Sequence, residues 1–141
     1  MTMSTTVVET NRELFAQFVE AHERGEASAI RQLLAEDVTW HLPPSAGVGP
    51  FAGADLVSAA LAGGAADNWL DVSTIRRKVD RIVVDGDTAV ALESKNATTH
   101  SGKQYANDYC WVLTCRGGLI SQIRNYTDTL LANRVFGIDN K

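Results

Sequence analysis

From residue 70 to residue 128 the chain is one alternating run after another. Four segments, 70–84, 87–99, 103–115 and 119–128, are separated only by Asp85-Gly86, Ser101-Gly102 and Gly117-Gly118. Alternating runs joined by short glycine turns read as hairpins, so these strands form an antiparallel meander. The residues before them carry a different period. Thr10 is placed to cap a helix, with Glu13 three residues on, and Leu14, Phe15, Phe18, Val19 and His22 repeat at helical spacing as far as about Arg24. Gly25 ends that helix, and residues 1–9 ahead of it read as a loose tail. A second helix fits 27–35, burying Ile30, Leu33 and Leu34, and a short strand fits 38–42, stopped by Pro43-Pro44. A Gly- and Pro-rich loop covers 45–53, and a third helix covers 55–61, closed by Gly63-Gly64. Helices first and long strands after them define an α+β domain, with three N-terminal helices packed on one face of the sheet. No repeat or linker divides the chain, so 1–141 is read as a single domain.

Composition narrows the partners. The chain has 141 residues, 45% of them hydrophobic, which is enough for one real core. A net charge of −4 without any basic run argues against nucleic acid. No apolar stretch approaches the ~20 residues of a membrane span, and the first nine residues lack the basic start and apolar middle of a signal peptide. A cytoplasmic protein with no membrane contact is expected. Cys110 and Cys115 stand on one strand about 16 Å apart, on opposite faces, so they cannot pair and read as small buried hydrophobes. His22, His41 and His100 show no metal-ligand spacing, and no metal or other cofactor is expected.

The informative hairpin is the one around Ser101-Gly102. A two-residue turn pairing His100 with Lys103 sets Ser94 opposite Tyr109, Asn96 opposite Asn107 and Thr98 opposite Tyr105. All six then share a face with Leu92 and Trp111, while Glu93, Lys95 and Asp108 point the other way. A face mixing Trp, Tyr, Ser and Asn suits a pocket, since buried polar groups need partners. The competing reading is an ordinary exposed sheet face. At the last turn two registers are open. A two-residue Gly117-Gly118 loop turns Arg124, Tyr126 and Asp128 toward Tyr109. A three-residue loop pairs Cys115 with Leu119 and sets Asn125 opposite Tyr109, Thr127 opposite Asn107 and Ile123 opposite Trp111. The three-residue loop is preferred, because Gly118 then sits where a left-handed residue is needed and Arg124 stays outside.

Three stretches together resemble the nuclear transport factor 2-like superfamily, and within it the SnoaL-like polyketide cyclases and limonene epoxide hydrolase. They are Leu33-Leu34-Ala35-Glu36-Asp37-Val38-Thr39-Trp40, Gly53-Ala54-Asp55-Leu56, and Gly118-Leu119-Ile120 through Tyr126-Thr127-Asp128. The resemblance covers about residues 10–136. It implies a cone-shaped curved sheet wrapped around three helices, a deep pocket, and a homodimer formed through the outer sheet face. It also implies departures in chemistry. The positions of the ketosteroid isomerase tyrosine and aspartate fall on Phe18 and Leu42, neither of which can hold an enolate or take a proton. The epoxide hydrolase residues fall on Asn96, Ser94, Asn125, Thr39 and His41, so both carboxylates have become amides and the arginine a serine. An amide orients water but does not take its proton.

His41 is then the expected general base, the one inward side chain whose free pKa lies near neutrality. Tyr109, Asn125 and Asn96 would hold an enolate or oxyanion. Thr39, Ser94, Thr98, Tyr105, Asn107, Trp111 and Thr127 would line the substrate. The alternative for His41 is a histidine satisfied by neighbouring amides, with no catalytic task. Asp128, ahead of Thr129-Leu130-Leu131, is expected to cap a final helix. The function expected is cofactor-free acid–base chemistry (cyclisation, isomerisation or hydration) on a small apolar oxygenated molecule such as a polyketide or terpenoid. The alternative is a binding protein that keeps the pocket and lacks the catalysis.

Overall fold

The computed structural model describes residues 4–137. Helix α1 (Thr5–Arg24) starts earlier than expected, because Ser4 accepts from Val7 N and caps it. Thr10 instead bonds back to Thr6 O within the helix. Gly25, at φ 66°, ends the helix by donating to the carbonyls of Ala21 and His22. Helix α2 (Ala27–Arg31) is shorter than its apolar spacing allows, since Leu34 already belongs to strand β1 (Leu34–His41). The backbone bond from Ile120 N to Leu33 O draws that segment onto the sheet. Strand pairing overrides local helix propensity here. Strand β2 (Phe51–Ala52) is followed by helix α3, regular over Ala54–Ala59 and wider-wound over Ala60–Gly64. Gly63 has φ 128°, and a Cβ there would lie 2.7 Å from Val72 Cγ1, so the close approach of α3 to the next strand requires glycine.

The meander follows as β3 (Leu70–Asp85), β4 (Thr88–Thr99), β5 (Gln104–Arg116) and β6 (Leu119–Thr127), then helix α4 (Thr129–Phe136). Asp128 caps α4 through Leu131 N. The six strands form one curved, unclosed sheet in the order β2-β1-β6-β5-β4-β3. All pairs are antiparallel except β1 with β6. That parallel pair is possible because the helix and the whole meander lie between the two strands in sequence. Among the described residues no helix is long and apolar enough to cross a membrane.

Two registers differ from expectation. The loop between β4 and β5 has three residues, not two: Thr99 N donates to Lys103 O, Thr99 Oγ1 accepts from Lys103 N, and Gly102 takes φ 93°. Glu93 therefore pairs with Tyr109, Lys95 with Asn107 and Ala97 with Tyr105. A one-residue change reverses the strand. Ser94, Asn96, Thr98 and Leu92 face outward, and Glu93 and Lys95 are buried on the concave side. The loop between β5 and β6 has two residues, Gly117 and Gly118, at φ 59° and 81°. A bulge at Ser121 then follows, since Cys115 pairs with Ile120 but Thr114 with Gln122. The bulge restores the parity the short loop removes. Asn125 points inward opposite Trp111, with Thr127 opposite Tyr109 and Ile123 opposite Leu113. The preferred three-residue loop was thus incorrect in its turn and pairings, while the inward face of Asn125 is as expected.

The main core lies between the concave face and α1, α2 and α3. Phe15, Phe18, Ile30, Val57, Leu113 and Ile123 are essentially inaccessible there. Each such side chain contributes about 1.5–3 kcal/mol by burial. A smaller cluster around Leu70, Ala97 and Tyr105 is covered by Trp69, Leu131, Val135 and Phe136 at the open end.

Candidate functional site

A cavity of about 110 Å³ lies between the two clusters. Leu42, Leu61, Trp69, Leu70 and Phe136 give it apolar walls, and His22, Arg77, Lys95, Tyr109, Asn125 and Thr127 bring polar groups to it. Helix α4 forms one wall, held by Phe136 stacking on Trp69 and leaning on Tyr105.

Alternation on β4 brings two charges inward two residues apart. Glu93 is 3% exposed and Lys95 7%. Glu93 is committed: its Oε1 accepts from Arg77 Nη1 at 3.2 Å and from Trp111 Nε1 at 3.3 Å. Its Oε2 lies 3.9 Å from His22 Nδ1, too far for a hydrogen bond. Burial raises the Glu93 carboxyl above its ordinary range, against the pull of Arg77, Trp111 and Lys95. His22, inside α1 and edge-on to Trp111, is held well below its ordinary value by burial, then by Arg77 and Lys95. It is neutral at pH 7.

Lys95 is placed differently. Its ammonium makes no hydrogen bond or ion pair among the described residues, and Nζ stands 5.4 Å from the centroid of the Tyr109 ring. Burial, and then the neighbouring Arg77, push its pKa down to about 7, and Glu93 only partly opposes them. The neutral amine is therefore far better populated near neutral pH than in an ordinary lysine. Such an amine is a base and a nucleophile in an apolar enclosure.

The oxygen-binding side of the cavity is built from β5 and β6. Asn125 Oδ1 accepts from Trp40 Nε1 at 2.7 Å, which leaves the amide N–H pair to the cavity. The Tyr105 and Tyr109 hydroxyls are 2.6 Å apart. Burial raises both phenols above their ordinary value, so both stay protonated. Asn107 donates to the Tyr105 hydroxyl and to Asp128 O and accepts from Asp108 N, so it is a strut behind the tyrosines. Thr127 donates to Asp108 O.

Of the residues expected at the site, the structure brings together Tyr105, Tyr109, Trp111, Asn125 and Thr127. Asn107 supports them from behind. Ser94, Asn96 and Thr98 lie on the outer face, as the three-residue loop requires. Thr39 and His41 alternate with inward Trp40 and also turn outward. His41 lines a separate cleft with Arg124, Tyr126, Pro44 and Pro50, divided from the cavity by Leu42, Pro43, Val48 and Asn125. Glu93, Lys95, Arg77 and His22 were missed. One signal for Glu93 and Lys95 is in the sequence: Ala89, Ala91 and Ala97 share their parity on β4, and such small side chains mark the face against which the helices pack. Among the described residues no group of three or more His, Cys, Asp or Glu is placed to hold a metal ion.

Solved structures resemble this architecture closely. An NTF2-like protein of unknown function from Burkholderia pseudomallei K96243 superposes with a TM-score of 0.76 at 21% identity, over 95% of this chain and 98% of that one. A protein assigned as a SnoaL-like polyketide cyclase from Jannaschia sp. CCS1 gives 0.75 at 12% identity, over 96% and 97%. A protein with a ketosteroid isomerase-like fold from Catenulispora acidiphila DSM 44928, in complex with trimethylamine, gives 0.72 at 17% identity, over 89% and 92%. These likenesses define an NTF2-like fold. Residues 15–123 match the SnoaL-like domain, and the chain belongs to that family. None of the curated proteins compared with it by sequence matches.

Proposed function

We propose that this chain is a small-molecule enzyme doing cofactor-free acid–base chemistry, with Lys95 as the group that carries the proton. The substrate is an apolar oxygenated molecule of the polyketide or terpenoid kind, and the reaction is a cyclisation, isomerisation or hydration. The observation that carries this is the buried Lys95 amine, with no carboxylate in hydrogen-bond or ion-pair contact among the described residues, facing apolar walls. In the reaction, neutral Lys95 takes a proton from carbon next to a carbonyl. The Asn125 amide and the Tyr109–Tyr105 hydroxyl pair receive the charge that develops on oxygen. The Lys95 ammonium then returns the proton at another carbon or to a leaving oxygen. Arg77 and Glu93 stay paired and hold the local field constant.

The test uses 1-indanone, a compact apolar ketone, in D2O, with α-proton exchange followed by mass spectrometry. Exchange should rise with pH through a midpoint near 7 and fall about 10²–10⁴-fold in Lys95→Met. Exchange no faster than with the heat-unfolded chain refutes the proposal.

A second reading, a binding protein without catalysis, is favoured by one observation: Tyr105, Tyr109 and Asn107 already satisfy one another. Ligand affinity independent of pH between 6 and 8, without exchange, supports it. We also infer a homodimer through the convex face, where Leu92 and Tyr126 are 45% and 51% exposed. Its interface should bury about 1,200–2,000 Å² in total, and a monomer by light scattering at micromolar concentration contradicts it.

A further inference from the structure

We propose that Lys95 takes small aldehydes or ketones covalently, as an imine at Nζ inside the cavity. The inference rests on the same cavity as the proposed function but asks for bond formation, not proton transfer alone.

Three observations carry it. First, the amine makes no hydrogen bond or ion pair among the described residues: Nζ stands 5.4 Å from the Tyr109 ring centroid, and Glu93, which attracts it, is bonded to Arg77 and Trp111 instead. A lysine buried as half of an ion pair would be held away from an electrophile, and this one is not. Second, the cavity gives it an electrophile's environment. Leu61, Trp69, Leu70 and Phe136 favour an apolar carbonyl compound and disfavour the charged amine. Third, donors stand on the same lining. The Asn125 amide is turned to the cavity, and the Tyr109 hydroxyl shares a 2.6 Å bond with that of Tyr105. They can receive the oxygen as it leaves the carbonyl plane. The depressed pKa of Lys95 supplies neutral amine near neutral pH.

The step balances. The Nζ lone pair forms the C–N bond while the carbonyl π pair moves to oxygen. A proton passes from nitrogen to that oxygen, giving a neutral carbinolamine. The nitrogen lone pair then expels the hydroxyl, which takes a proton from solvent at the cavity mouth and leaves as water. The protonated imine that remains draws electrons from the adjacent carbon. Its C–H becomes acidic enough for isomerisation or for breaking a bond one carbon further on. Carbonyl compounds whose α-protons are too weakly acidic for a neutral amine to remove directly thereby become substrates.

The experiment uses the full chain with benzaldehyde and sodium cyanoborohydride at pH 7, followed by digestion and peptide mapping. Reduction fixes any imine as one benzyl group. Lys78 and Lys103, both exposed, serve as internal controls. The expected result is benzylation of Lys95 ~10-fold or more faster than of either control. Urea-unfolded chain should lose that preference. Lys95→Arg, which keeps the charge but forms no imine, should lose the fast adduct while keeping a native circular dichroism spectrum. The folded wild-type chain decides the matter by itself, whatever the variant does. Labelling at Lys78, Lys103 or the terminal amine with Lys95 silent overturns the inference. If Lys95 is silent while 1-indanone still exchanges, the covalent step falls and the acid–base function stands. If Lys95 labels without exchange, the covalent step stands and the acid–base function falls.

Discussion

Replacing Lys95 with methionine should stabilise the protein, and by an amount that depends on pH in a defined direction. The side chain is 7% exposed, and its pKa drops from 10.5 to about 7 on folding, chiefly through burial and then through Arg77. Between those values the unfolded chain binds more protons at this position than the folded one, so stability rises with pH across that window. The penalty is fully present below about 7 and gone above about 10.5. At ~1.4 kcal/mol per pH unit, the displacement corresponds to about 5 kcal/mol. Methionine has nearly the same length and no charge, and Arg77 remains as the partner of Glu93, so no carboxylate is orphaned. For a domain of this size the gain at pH 6 should raise the thermal midpoint by roughly 15–20 °C. The assay is urea and thermal unfolding of wild type and Lys95→Met at intervals from pH 6 to pH 10.5. Taking the difference between the two chains cancels the buried tyrosines, which titrate in both. The two stability curves should converge as pH rises. Curves that run parallel, or a wild type more stable than the variant at pH 6, would refute the reasoning.

Glu93→Gln should lose about 3–5 kcal/mol, because it leaves the Arg77 guanidinium, itself 9% exposed, without its carboxylate; an unchanged urea midpoint contradicts this. The same variant removes the one charge that raises the Lys95 pKa, so the pH midpoint of benzaldehyde labelling should move below 7. Asn125→Leu strands the buried Trp40 N–H and should cost about 1–3 kcal/mol in urea unfolding, with wild-type stability as the refuting result. Gly63→Ala puts a methyl 2.7 Å from Val72 at φ 128° and should cost about 1–3 kcal/mol, whereas alanine at Gly47, with nothing within 4 Å, meets no such neighbour.

The order of elements was legible because glycine turns and periodicity are local signals: strands β3 to β6 begin and end within two residues of expectation. The composition of the cavity was legible only in part. Tyr109, Asn125 and Thr127 follow from β5 and β6, where two departures from expectation offset each other. Lys95 and Glu93 did not follow, since their orientation depends on whether His100 is paired or belongs to a loop. Local propensity is nearly indifferent to that choice. Bury-or-expose arguments also pointed the wrong way, because an isolated charge belongs in water. What reverses the argument for Glu93 is Arg77, sixteen residues away and on another strand. Similarly, Leu34 looks helical until its distant partner Ile120 is known.

The extra residue at Ser121 gives β6 one position to spare. Without it, Cys115 would still meet Ile120 and Thr114 would still meet Gln122, so Ile123 and Asn125 would stay inward and Arg124 and Tyr126 outward. Loss of that single codon would straighten the strand and leave the cavity lining as it is. The bulge is therefore slack in the chain: it lets the strand end change length by one residue without rewriting what the cavity presents to a ligand.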